Sequence, residues 1–263
     1  MTEEEIKKQN PWLQYHYITR LYDKNTDMIH PDDRAIVEDY NQNRPSEEYR
    51  FEVHTPPFPF QGDPFRSKVV FLSLNPGFVE RLNIDAALLL EQVKDLRIQL
   101  SEEWNKHRIH DVNSFFPNPK DVNLYQGYQL LGDWYWYDKL KHLCDDAKMN
   151  EIEFFQKVAL IQLMPYSSTF CNKVITNLPT QKYTKDLIDY LLKQPKGPLF
   201  VVMRSEPDWG ELLGIKDFQD AKYKDRFVIR KRDKNGNRPR LQYINQNAFE
   251  DNGYERIIQA IKS

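Results

Sequence analysis

Lys68-Val69-Val70-Phe71-Leu72-Ser73-Leu74-Asn75-Pro76-Gly77-Phe78 is the stretch on which the fold turns. Val69 to Leu74 is a near-continuous apolar run, the pattern of a strand buried on both faces inside a parallel sheet. The run stops at Asn75-Pro76-Gly77. Proline lacks the backbone donor and glycine tolerates φ > 0, which predicts a sharp turn there. Asn75 is thereby set at the carboxyl end of a central strand, where open α/β sheets keep their ligand crevices.

Working outward, Lys157–Leu163 and Pro198–Met203 are two more apolar runs that predict buried strands. They end in Met164-Pro165-Tyr166-Ser167-Ser168 and in Arg204-Ser205-Glu206. Apolar residues at helical spacing predict helices over Pro11–Lys24, Asp32–Gln42 and Ile84–His107, the last capped by Asn83. Further helices are expected at Trp134–Leu143 (capped by Asp133), Glu151–Gln156, Thr180–Gln194, Asp208–Leu213 and Tyr254–Ile261. Glu48–Val53 predicts a short strand, and Arg226–Arg230 with Arg240–Ile244 predicts two more around Asn235-Gly236. From Ser114 to about Gly132 runs a loop rich in Asn, Pro and aromatic residues, of the length that often carries function. Alternation of strand and helix gives an α/β class: a three-layer αβα sandwich around a mainly parallel central sheet. Residues 1–263 read as one domain, with 1–47 a helical N-terminal extension and 48–263 the core.

Composition bounds the rest. Charged residues at 29% and apolar ones at 40% read as soluble and globular. No apolar run approaches the roughly 20 residues of a membrane helix, and the charged start Met1-Thr2-Glu3-Glu4-Glu5 lacks a signal core. Cys144 and Cys171 lie far apart without metal spacing, as expected of free thiols in a reducing compartment. A cytoplasmic monomer with no membrane contact is the expectation. Lys222 to Arg240 carries nine Lys/Arg and two Asp/Glu, a balance of +7 that leaves −9 elsewhere in a chain of net charge −2. Arg230, Lys231, Arg232, Lys234, Arg238 and Arg240 are the candidates for nucleic-acid backbone contacts; the same stretch also reads as a solvated basic hairpin.

Three polar strand ends would line one crevice if the strands are parallel neighbours. Asn75 offers a carbonyl and an amide, and Gln162 a bidentate amide suited to a nucleobase edge. Tyr166 and Phe78 offer aromatic faces and Arg204 a fixed cation; Pro76, Gly77 and Ser167 complete the turns. Each residue alone is also an ordinary loop residue. Other chemistries have little to stand on. There is no Gly-rich phosphate loop and no Gly-x-Ser-x-Gly elbow. His107, His110 and Asp111 read as surface residues, Ser167-Ser168 as a loop pair, and Trp134 to Tyr137 as part core and part cover.

The strand followed by Asn75-Pro76-Gly77 resembles the first active-site motif of the uracil-DNA glycosylase superfamily, in the branches with Gly-x-Asn-Pro-Gly. The resemblance implies that fold and hydrolysis of the N-glycosidic bond of a deaminated or damaged base in DNA, without metal or organic cofactor. It implies that Asn75 positions the attacking water. Phe78, Phe115 or Phe116 would stack on the flipped base, and Gln162 would read its edge. Base extrusion is required because the bond is inaccessible inside a stacked duplex. Ser73 stands where the family has glycine, and the family's second motif, a His-Pro-Ser loop, has no counterpart; no histidine follows His142. Arg204-Ser205-Glu206-Pro207 and Tyr243-Ile244-Asn245-Gln246-Asn247 are the nearest substitutes, which puts Asn245 and Asn247 among the binding candidates. The alternative is a catalytically inactive module of the same fold that binds nucleic acid or a nucleotide-like ligand.

Overall fold

The computed structural model describes residues 1–14, 27–44, 46–54, 57–77, 134–171, 173–232, 243–250 and 252–263. A five-stranded sheet forms its centre: β1 (Phe60–Gln61), β2 (Val69–Ser73), β3 (Val158–Gln162), β4 (Leu199–Val202) and β5 (Phe227–Ile229). The strands lie in the order β1-β3-β2-β4-β5. β3, β2, β4 and β5 are parallel neighbours, and only β1 runs antiparallel, against β3. The apolar runs become strands because both faces of the sheet are covered, so neither residue parity can be polar.

Alternate residues feed two cores. Val70, Leu72, Ala159, Ile161, Phe200, Val202 and Phe227 face one side. There they meet Leu187, Ile188 and Leu191 of α5 (Gln181–Lys193) and Trp209 and Leu213 of α6 (Glu206–Leu213). Ile6 of α1 (Glu3–Lys8) and Val37 and Tyr40 of α2 (Arg34–Gln42) join the same core, so the N-terminal segment packs on the sheet's own layer. Val69, Phe71, Val158, Leu160, Val201 and Val228 face the other side. They meet Leu140 and Leu143 of α3 (Trp134–Ala147), Phe154 and Phe155 of α4 (Glu151–Gln156), and Ile257 and Ile261 of α7 (Gly253–Lys262). Each fully buried aliphatic or Phe side chain stabilises by about 1.5–3 kcal/mol. The result is helix, sheet, helix.

Local signals set the ends. Thr2 and Glu5 form a reciprocal capping box on α1. The carbonyls at the end of α5 are capped from afar: the Arg226 guanidinium donates to Leu191, Leu192, Gln194 and Pro198 oxygens at 3.0–3.3 Å. Gly197 is required beside it, because a Cβ there would stand 2.2 Å from the Leu191 carbonyl oxygen.

Several expectations need correction. Glu48–Val53 is not a strand: Glu47–Tyr49 is a 3-10 turn, and only Glu52 bridges to Ser167. β5 lies parallel to β4; of the second strand expected over 240–244, residues 240–242 fall outside the described residues, and Ile244 donates its N–H to the Lys139 carbonyl at 2.9 Å. Pro11 opens a 3-10 turn, Pro11–Gln14, rather than an α-helical first turn. The long helix expected over 84–107, the loop over 114–132 and the Asn235-Gly236 turn fall outside the described residues. Among the described residues no helix is long and apolar enough to cross a membrane.

Candidate functional site

The connection after β2 leads to β3 on one side, while that after β4 leads to β5 on the other. β2 and β4 are adjacent, so their carboxyl ends flank a topological switch point, the place where such sheets open a crevice. Asn75 follows the end of β2 by two residues, and its turn is of a different kind from the one the sequence predicts. Gly77 does not adopt a positive φ; it is extended and bridges Ser168 in parallel. The β2 and β3 chains therefore run on together beyond the sheet. Leu163 N–H donates to the Ser73 carbonyl at 3.1 Å, Met164 N–H to Leu74 at 2.8 Å and Ser168 N–H to Pro76 at 3.2 Å.

This rail fixes the Asn75 side chain. Its Nδ2 donates to Ser168 Oγ at 2.8 Å, to the Pro76 carbonyl at 3.2 Å and, longer, to the Tyr166 carbonyl at 3.5 Å. Two of these neighbours are carbonyl oxygens, which only accept, so the amide nitrogen must face them. Oδ1 consequently points away and accepts no hydrogen bond from any described residue. A half-buried amide with its nitrogen spent and its oxygen unspent can hold a water or a ligand N–H.

Under the rail lies a buried polar network. Tyr166 is 1% exposed, so it offers no open face for stacking. Its hydroxyl donates to Asp33 Oδ2 at 2.8 Å and accepts from the His30 N–H at 3.0 Å. Thr180 donates to Asp33 through its N–H at 3.1 Å and its hydroxyl at 2.7 Å. Burial pushes the Asp33 carboxyl above the usual aspartate range, and the Thr180 and Tyr166 donors pull it partly back. Ser167 is buried, and its carbonyl accepts from the Glu52 N–H at 2.8 Å.

Gln162 is level with Ser73 across the β2–β3 ladder. Strand alternation turns both, with Met203 and Arg230, toward the α3/α7 face. Gln162 is 3% exposed and its Oε1 has no hydrogen-bond partner. A buried carbonyl left unpaired costs about 1–3 kcal/mol.

The β4 side is built differently. Arg204 is exposed, and Ser205 takes the left-handed conformation (φ 54, ψ 43) immediately before α6. Such a conformation is uncommon for a non-glycine residue and clusters at functional sites. Trp209, fully buried, ties this side to the first by donating Nε1–H to the Ser73 carbonyl at 3.1 Å. The basic stretch is divided. Arg226 caps α5, Arg230 is buried, Arg232 pairs with Glu206 at 2.9 Å, and Lys231 is exposed. Asn245 accepts from the Asn247 N–H at 2.9 Å and so caps the turn Gln246–Ala248, while Asn247 is exposed. Phe78, Phe115, Phe116, Lys234, Arg238, Arg240, His107, His110 and Asp111 lie outside the described residues. Cys144 is buried, and among the described residues no three His, Cys, Asp or Glu side chains are grouped to hold a metal ion.

Asn75, Tyr166, Ser167 and Gly77 thus come together on one rail, with Gln162 one strand level below. Ser168 is the member that sequence reading passed over. Nothing local marks a serine after a strand as an asparagine's partner; only the β2–β3 register brings them within reach. Comparisons with protein-family models, with curated proteins and with solved structures yield no match.

Proposed function

We propose that the chain is a uracil-DNA glycosylase-like enzyme that hydrolyses the N-glycosidic bond of a deaminated or damaged base in DNA. The observation that carries this reading is Asn75, whose nitrogen is committed to Ser168 and two carbonyls while Oδ1 is left open at the switch point. In the mechanism, Oδ1 holds a water. That water's oxygen bonds to the sugar carbon as the carbon–nitrogen bond breaks, its electron pair leaving with the base; the proton the water loses passes to solvent, and the departing base takes one up from solvent. Gln162 reads the base edge, its buried Oε1 accepting an N–H. Positioning of this kind converts a slow encounter into an oriented attack.

A second reading is supported by a specific observation. Asn245, the nearest substitute for the family's missing histidine loop, spends its side chain capping its own turn. That favours a module that binds nucleic acid or a nucleotide-like ligand without cleaving it. Base release from uracil-containing single- and double-stranded DNA, with Asn75→Ala alongside, separates the two. The enzyme reading predicts release by the wild type and loss in the variant. Binding without release of any modified base would leave only the binding module.

A further inference from the structure

Beside the rail lies an aromatic that neither the fold nor the proposed chemistry uses. Phe170 is 55% exposed, two residues beyond Ser168, and therefore within about 7 Å of it along the chain. That is about two steps of a stacked nucleic-acid strand at roughly 3.4 Å each. Exposure is not looseness here: the Phe170 N–H donates to the Glu48 carbonyl at 2.8 Å, and the half-buried Tyr49 ring packs 6.1 Å from it. The Glu52–Ser167 bridge extends the same anchoring toward the rail. A fixed, open ring thus stands two residues from the serine that holds the Asn75 amide.

We propose that Phe170, backed by Tyr49, is a stacking platform for an unpaired nucleobase about two steps along the strand from the one at Asn75. The inference rests on the nucleic-acid reading of the crevice and extends it to single-stranded or locally opened strands. Aromatic platforms bind single strands with little sequence preference, because every base has a face to stack. A burial need does not explain Phe170, since most of its ring remains in solvent.

The test is fluorescence anisotropy with an unmodified oligothymidine and with a blunt duplex of equal length, using the full chain. The expected results are salt-dependent binding that favours the single strand, weakening of about 5- to 100-fold in Phe170→Ala, and recovery in Phe170→Trp. Unchanged melting of the variants excludes a folding defect. Equal affinity of wild type and Phe170→Ala for the single strand overturns the platform and leaves the Asn75 reading standing. Absence of base release with the Phe170 effect intact overturns the glycosylase and leaves the platform. A dimer dissolved by Phe170→Ala, with no oligonucleotide binding, overturns the platform in favour of a second copy of the chain.

Discussion

The two halves of the sheet's carboxyl edge are made on different principles. On the β2–β3 half, neighbouring chains stay paired beyond the strands, and that pairing brings Ser168 and two carbonyls to the Asn75 amide. On the β4–β5 half, cations are plentiful in sequence yet mostly serve the fold: Arg226 caps a helix, Arg230 faces inward and Arg232 meets Glu206. A run of like charge along a chain is therefore a poor guide to a surface patch, because alternate strand residues point to opposite faces. A strand-end asparagine is the better guide, since the register that fixes it also supplies its partners.

Beyond the β2–β4 ladder itself, Trp209 links the halves, and removing it should give the largest effect. Trp209→Ala deletes a fully buried indole and its bond to the Ser73 carbonyl, at about 3–5 kcal/mol. Chemical denaturation would read this as a lowered midpoint. An unchanged midpoint would mean that the β4 side is not coupled to the rail. Next comes Tyr166→Phe, which leaves the buried Asp33 without one donor and the His30 N–H without its acceptor. A loss of about 1–3 kcal/mol is expected; a neutral result would separate the network from the rail above it.

How much of this was legible beforehand follows the same division. The three continuous apolar runs identified β2, β3 and β4 because strands covered on both faces need no polar parity. β1 is only two residues long and sits in proline-rich sequence, leaving no periodicity to read. Glu48–Val53 has strand composition, but among the described residues its one β-bridge is Glu52 to Ser167, too little ladder to make a strand. Asn75 was legible because Pro76 and Gly77 interrupt an apolar run. Ser168 and the inward-facing Tyr166 were not, since their roles depend on contacts with Asn75 and Asp33, 93 and 133 positions away.

The Asp33 network also predicts a pH signature. A carboxyl raised in the folded state contributes stability fully present below the unfolded aspartate value and lost as pH rises through the folded one. Stability should therefore decline with rising pH above the ordinary aspartate range, and Asp33→Asn should flatten that decline. Urea titrations across pH 3.5 to 7, roughly spanning the carboxylate region, measure the slope; Asp63 and Asp208, also raised by burial, contribute to the residual. The smallest effect belongs to the exposed Arg232–Glu206 pair. Arg232→Ala should change stability by less than about 1 kcal/mol, and a larger loss would show the β4–β5 half to be more tightly organised than its contacts indicate.

The decisive measurement is single-turnover release of uracil from a single-stranded oligonucleotide by wild type and Asn75→Ala, with melting curves for both. The rail built by β2 and β3 predicts release by the wild type and a fall of about 10²-fold or more in the variant at near-unchanged stability. Equal rates in the two proteins, or no release by the wild type from any modified base, would contradict it.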